Sequence, residues 1–146
     1  NDKGQIGTEP NLVAPYKRML SSMTPTIVAK DGKTYLVTGS PGGRTIINTT
    51  LQVIMNVIDH NMAVQEAVDA PRIHHQWFPD VLNIEGGVPL DVIEALTVKG
   101  HTVNTMNAAK TMKYSQGDAH SILIDLKTGL RLGAADSRSS GAAVGY

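Results

Sequence analysis

Cysteine is absent from this 146-residue chain. That excludes disulfides and thiolate metal sites and leaves the redox compartment open. An excess of one charge is also missing: thirteen basic residues balance thirteen acidic ones. No basic stripe or acidic tail results, so the charge pattern argues against a nucleic-acid partner. Long apolar runs are lacking too. None approaches the roughly 20 residues that a membrane-spanning helix needs. Residue 1 is Asn rather than Met, and no signal peptide is legible. The chain therefore reads as a processed product or a fragment. Several catalytic signatures are missing as well. The Gly39–Gly43 corner matches neither Walker A nor G-x-G-x-x-G, no G-x-S-x-G elbow surrounds Ser21-Ser22, and there is no H-E-x-x-H, which argues against nucleotide binding, a serine elbow and a zinc-protease helix.

What is present is one domain's worth of chain or less, with 41% hydrophobic residues to form a core. The organising stretch runs from Leu20 to Gly43. Thr26–Ala29 and Thr34–Thr38 read as the legs of a β-hairpin turned at Lys30-Asp31-Gly32-Lys33. An Asp-Gly pair between apolar runs is the strongest short-range hairpin signal. A hairpin brings the outer ends of its legs together, so Ser21-Ser22 and Gly42-Gly43 are expected near one another. Hydroxyls beside exposed backbone N–H groups can bind an anion.

The remaining chain predicts an α+β or layered α/β domain. Residues 1–18 read as an irregular arm. The clearest helix is Thr45 to His60. Its expected buried stripe is Ile47, Leu51, Ile54 and Ile58, widened by Ile46, Val53 and Val57; Asn48, Gln52, Asn56 and Asp59 form its wet face. Ala63 to Asp69 reads as a short helix ending before Ala70-Pro71. Val81 to Ile84 is a short strand. Pro89 to Lys99 is a third helix, buried along Leu90, Ile93 and Leu96 or Thr97. His101 to Met106 is a strand, and 107–118 is polar and irregular. His120–Leu126 and Leu130–Ala135 form a second hairpin. Ile27-Val28-Ala29 and Tyr35-Leu36-Val37 are continuously apolar, which predicts cover on both sheet faces, with the sheet completed by another chain segment.

Each candidate constellation has a bland alternative. Gly39-Ser40-Pro41-Gly42-Gly43 joins a strand to a helix. Its glycines permit φ > 0 and close approach of a ligand, and the helix start adds unsatisfied N–H groups and a positive dipole end. The corner could hold an oxyanion or a carboxylate; from spacing alone, a tight turn is preferred. Arg44 is disfavoured at a helix N-terminus, so it points away or meets an anion. Ser21-Ser22 could donate two hydroxyls to a carboxylate, but a turn or capping pair is preferred. His74-His75-Gln76-Trp77 suggests metal, yet neighbours on an extended chain face opposite sides. Structural histidines beside a half-buried Trp77 are preferred. Asp136-Ser137-Arg138 could be a substrate contact or a local ion pair, with the ion pair as the default, and Met19, Met23 and Met55 read as core filler.

Taken together, the motifs resemble those of a known family. Lys17-Arg18-Met19-Leu20-Ser21-Ser22-Met23-Thr24-Pro25-Thr26, followed by Thr38-Gly39-Ser40-Pro41-Gly42-Gly43, resembles the γ-glutamyltransferases (γ-glutamyl transpeptidases). Ala70-Pro71-Arg72-Ile73-His74-His75-Gln76-Trp77 and Gly141-Ala142-Ala143-Val144-Gly145-Tyr146 are similar to the bacterial members. The resemblance covers nearly all of residues 1–146, in order.

It implies an N-terminal nucleophile hydrolase: an αββα sandwich from a precursor that cuts itself into two subunits. The small subunit begins with a catalytic Thr, whose hydroxyl attacks a γ-glutamyl carbonyl with its own α-amine as base. By position, Ser21 and Ser22 match the pair that binds the substrate α-carboxylate, and Gly42 and Gly43 match the oxyanion hole. The nucleophile would lie upstream of Asn1, making this the inactive C-terminal part of a small subunit. The implied partners are γ-glutamyl compounds such as glutathione, an acceptor amino acid, peptide or water, and the large subunit of the same precursor. No cofactor or metal is implied, and the implied location is periplasmic or secreted. The chain departs from the family pattern at Met19, where Pro is usual, and at Ser137 within the usual Asp-Pro-Arg, so no role is carried onto Arg138. A cephalosporin-type acylase, a poly-γ-glutamate-processing transpeptidase and a non-catalytic γ-glutamyl-binding module are the alternatives.

Overall fold

The computed structural model describes residues 7–106 and 116–145. Asn1, the remainder of 1–6, the 107–115 portion of the polar stretch and Tyr146 lie outside the described residues. The first hairpin forms as expected, from β1 (Thr26–Lys30) and β2 (Lys33–Gly39). Asp31 and Gly32 both have positive φ, 52° and 72°, the backbone of a type I′ turn. A bulge between Val28 and Ala29 shifts the register.

A turn of 3-10 helix at Gly43–Thr45 leads into α1 (Ile46–Ile58). Asn61, at φ 54°, stops the helix in the left-handed conformation that often ends helices. Next comes α2 (Val64–Asp69), whose Glu66 carboxylate accepts the Ala63 N–H at 3.2 Å. The chain then gives β3 (Ile73–His74), β4 (Leu82–Glu85), α3 (Leu90–Val98) and β5 (Val103–Met106). The second hairpin is β6 (His120–Ile124) and β7 (Arg131–Ala134).

Two sheets result. One has the antiparallel order β1-β2-β6-β7; the other is β3-β4-β5, with β4 parallel to β5. Helices α1 and α2 cover one face of the larger sheet, around Leu36, Val53, Val57, Val68, Ala119 and Ala134. The opposite face carries the cross-strand row Ile27–Val37–Ile122, exposed by 70%, 37% and 44%. Among the described residues the expected two-sided cover is thus supplied on one face only, because α1 and α2 sit on the same side of this sheet. No helix among the described residues is long and apolar enough to cross a membrane.

Three further expectations are corrected. The buried stripe of α1 is Ile46, Thr49, Thr50, Val53 and Val57; Ile47, Leu51 and Ile58 are exposed. Apolar residues lie on two sides of this helix, so periodicity does not choose between them. Its supposed wet face instead docks β3, with Gln52 bonding both the N–H and the C=O of Ile73. No residue of α3 is fully buried; Ile93 and Leu96 are half-buried, Leu90 and Thr97 exposed. Met19, Met23 and Met55 are not core filler: the first two lie on a surface arm and the third on the open side of α1.

Candidate active site

The hairpin register sets the geometry of the two polar corners. Thr26 pairs with Thr38 across the strands, and a Cβ on Gly39 would sit 3.8 Å from Pro25 Cα. The arm before β1 is therefore held beside the chain leaving β2. Thr24 Oγ1 ties it to α1 by bonding Thr50 Oγ1 at 3.4 Å. The Ser21 hydroxyl accepts the Met23 N–H at 3.2 Å, the turn-forming contact. Ser22 is half-buried, and its hydroxyl has no partner among the described residues. No hydrogen bond joins either serine to Gly42 or Gly43 among the described residues; what the hairpin brings together is Pro25 and Gly39.

Gly42 (φ 137°) and Gly43 (φ 58°) both adopt conformations that side chains resist. Their carbonyls receive the first bonds of the helical turn, from Thr45 N and Ile46 N. Their N–H groups find no acceptor among the described residues, as expected at a helix start. Gly42 is hemmed in: a Cβ there would lie 2.5 Å from Thr45 Oγ1 and 3.2 Å from Gly117 Cα. Gly43 opens onto space, with nothing within 4 Å of its Cβ position. The corner offers two N–H donors and one open side, which suits a developing negative charge. Arg44 beside it is exposed.

Beneath this corner lies a buried charge cluster, of which the sequence reading held only the Asp136–Arg138 pair. Arg72 Nη2 bonds Asp136 Oδ2 at 2.7 Å, with side chains 2% and 0% exposed. Arg138 grips Glu85 through Nε at 3.0 Å and Nη2 at 2.6 Å, and Asp136 Oδ1 through Nη1 at 3.1 Å. The expected local Asp136–Arg138 ion pair is therefore present, inside a larger network. Both guanidinium groups also bond the Val68 carbonyl at the end of α2. Burial alone would raise the pKa of Asp136. The N–H groups of Arg138 and Ala119 and the Arg72 guanidinium outweigh it and hold the carboxyl below the usual range. Burial and the nearby Arg138 lower Arg72 from its ordinary value, but a guanidinium stays charged. Burial also opposes the charge on Arg138, yet Glu85 and Asp136 raise it above its ordinary value.

The histidines are structural. His74 is buried, with Asn48 Nδ2 at its Nδ1 (3.1 Å) and Gln76 Oε1 at its Nε2 (3.0 Å). His75 faces Asp80 Oδ1 at 2.9 Å and accepts the Trp77 N–H. Trp77 is not half-buried but 76% exposed, at positive φ, with its ring 4.5 Å from that of Phe78 between centroids.

Known proteins resemble this chain in sequence and in fold. The family model described as gamma-glutamyltranspeptidase matches residues 1–146. The glutathione hydrolase proenzyme of Escherichia coli K12 is 48% identical over 139 residues, 95% of this chain and 23% of its own length. The acylase ACY 1 proenzyme of Pseudomonas sp. (strain V22) is 42% identical over 91 residues, 62% of this chain and 16% of its own. The crystal structure of a Helicobacter pylori gamma-glutamyltranspeptidase mutant superposes with a TM-score of 0.82 at 47% identity, covering 94% of this chain and 72% of that one. The chain spans less than a quarter of the length of these curated relatives.

Proposed function

The chain belongs to the γ-glutamyltranspeptidase family, and from that premise we propose that its parent protein is a γ-glutamyltransferase acting on glutathione and other γ-glutamyl amides. In this reading a Thr hydroxyl outside these 146 residues attacks the γ-glutamyl carbonyl, with the Thr α-amine as base. The acyl-Thr intermediate is released to water or to an amino acid or peptide. The Gly42 and Gly43 N–H groups receive the oxyanion, and the Ser21 and Ser22 hydroxyls hold the α-carboxylate. The large subunit of the same precursor completes the site. The observation that carries the proposal is the Gly42–Gly43 corner: two consecutive positive-φ glycines at a helix start, their N–H groups without an acceptor among the described residues and the Gly43 side open.

Substrate profiling of the intact, matured protein tests the reading. Turnover of γ-glutamyl-p-nitroanilide with none of a glutaryl-cephalosporin is the expected result. The acylase relative favours the second reading, a cephalosporin-type acylase on the same fold, and the reverse profile would establish it. We also place the parent in the periplasm or outside the cell, on the resemblance alone. Recovery of its activity from the cytosolic fraction would refute that.

The serine pair gives a separate prediction. The Ser21 hydroxyl accepts one bond from Met23 and keeps its proton to donate; Ser22 is uncommitted. A hydrogen bond to a charged group contributes about 1.5–3 kcal/mol, and about 1.4 kcal/mol is a tenfold change in affinity. Ser21→Ala with Ser22→Ala in the intact enzyme is therefore expected to raise KM at least about tenfold. A smaller fall in kcat accompanies it, because remote binding also orients the carbonyl. Unchanged kinetics in a folded, self-cleaved double mutant would leave the pair as a turn.

A further inference from the structure

Three observations converge on the segment Gln116–Gly117–Asp118, to which neither the sequence motifs nor the proposed chemistry gives a role. The first is a latch. Ser40 Oγ accepts the Asp118 N–H at 2.8 Å and donates to the Pro41 carbonyl at 2.6 Å, so one hydroxyl ties the glycine corner to this segment. The second is backbone against backbone. A Cβ on Gly42 would lie 3.2 Å from Gly117 Cα. A Cβ on Gly117, itself at φ +76°, would lie 2.4 Å from Ser40 Oγ and 2.7 Å from Thr49 Oγ1. A side chain at either glycine would force the two segments apart. The third is anchorage from below. The Gln116 carbonyl accepts Thr49 Oγ1 at 3.1 Å and Arg72 Nη1 at 2.7 Å, while its N–H donates to Glu85 Oε1 at 2.9 Å. Just beyond, the Ala119 N–H donates to Asp136 Oδ2.

We propose that this strap, latched by the Ser40 hydroxyl, sets the position of the Gly42 and Gly43 N–H groups, making Ser40 and Gly117 positioning residues for acyl transfer. The inference rests on the reading of those N–H groups as oxyanion donors. Donors of this kind act only where they point, and a displacement of about 1 Å can cost about 10² in rate. The strap is fixed at its far side by buried charges, so among the described residues slack arises at the contact with the glycine corner. Ser40 is half-buried and lies outside the core. Loss of its hydroxyl is therefore expected to change stability little and geometry more.

The test uses the full-length proenzyme with Ser40→Ala, Ser40→Thr, Gly117→Ala and Gly43→Val, each assayed for self-cleavage, melting temperature, kcat and KM on γ-glutamyl-p-nitroanilide. Ser40→Ala is expected to mature and melt near the parent, with KM within about twofold and kcat down about tenfold or more. Ser40→Thr keeps the hydroxyl and restores most of the rate. Gly117→Ala, with its Cβ in the contact, loses about 10² in kcat; if it does not mature, the Ser40 pair decides. Parental kcat in Ser40→Ala overturns the proposal, as does a kcat loss that appears only together with a fall in melting temperature. If Gly43→Val is slow while the strap variants are fast, the strap inference alone fails. If matured Gly43→Val keeps its rate, the oxyanion reading fails first.

Discussion

Gly43→Val in the intact proenzyme is expected to lower kcat about 10²–10³-fold while KM moves only a few-fold. The asymmetry follows from where charge appears. The γ-carbonyl oxygen carries little charge in the bound substrate and becomes an oxyanion as the Thr adds to it. Donors already aimed at that point stabilise the transition state more than the ground state. A side-chain change cannot delete a backbone N–H, but it can turn one away. Gly43 sits at φ 58°, a region that β-branched residues avoid, and holding such a conformation costs about 1–3 kcal/mol. Its Cβ position is clear to 4 Å, so valine loses no packing and no core contact within this chain. Gly42 is the poorer position for the test, because a Cβ there meets Thr45 and Gly117 directly. Self-cleavage is monitored alongside, since that reaction can use the same donors. Near-parental kcat in a folded, matured variant would reduce the glycine pair to a turn.

Local signals carried much of this fold. Asp31-Gly32 fixed the first hairpin, and Pro89 and Gly100 bounded α3 to within a residue at each end. Local signals were silent wherever the answer depended on a distant partner. Helix α1 has apolar residues on two sides, and only the position of β2 and α2 decides which side is buried. Asn48 and Gln52 look solvated in sequence, yet they hold His74 and Ile73. Arg72 meets Asp136 across 64 residues, and Arg138 meets Glu85 across 53. No spacing rule links such residues: the family-like block Ala70-Pro71-Arg72 and the local pair in Asp136-Ser137-Arg138 drew attention to three of them, but nothing joined the two blocks or pointed to Glu85. At the site, the glycine corner was legible because φ > 0 has a residue signature. The strap beneath it was not, because Gln116-Gly117-Asp118 has no such signature apart from one glycine.

The charge cluster gives the other large effect. Asp136→Asn keeps the side-chain shape but leaves Arg72 buried without its counter-ion. Breaking one partner of a buried pair typically costs about 3–5 kcal/mol, and here the lost carboxylate also receives the Ala119 and Arg138 N–H groups. Denaturant unfolding of the intact protein at pH 7 is expected to show a destabilisation of that size. Adding Arg72→Met should recover part of it, because the stranded charge then goes too. Acid titration supplies an independent check. The Asp136 carboxyl is held below its ordinary value, despite burial, by those N–H groups and by Arg72. A depressed carboxyl pKa means that the unfolded chain binds the proton first. Its contribution to stability is then complete above about pH 3.9, the ordinary aspartate value. It is lost as pH falls from there through the lower folded value. Asp69 and Asp125 are shifted in the same direction, so the parent alone does not isolate Asp136; the difference between parent and Asp136→Asn does. That difference is expected to be constant from neutral pH to about pH 5 and to shrink below about pH 4. A variant within about 1 kcal/mol of the parent at pH 7, or a difference that stays flat through the acid range, would show that the Arg72–Asp136 pair does not hold the floor of this site together.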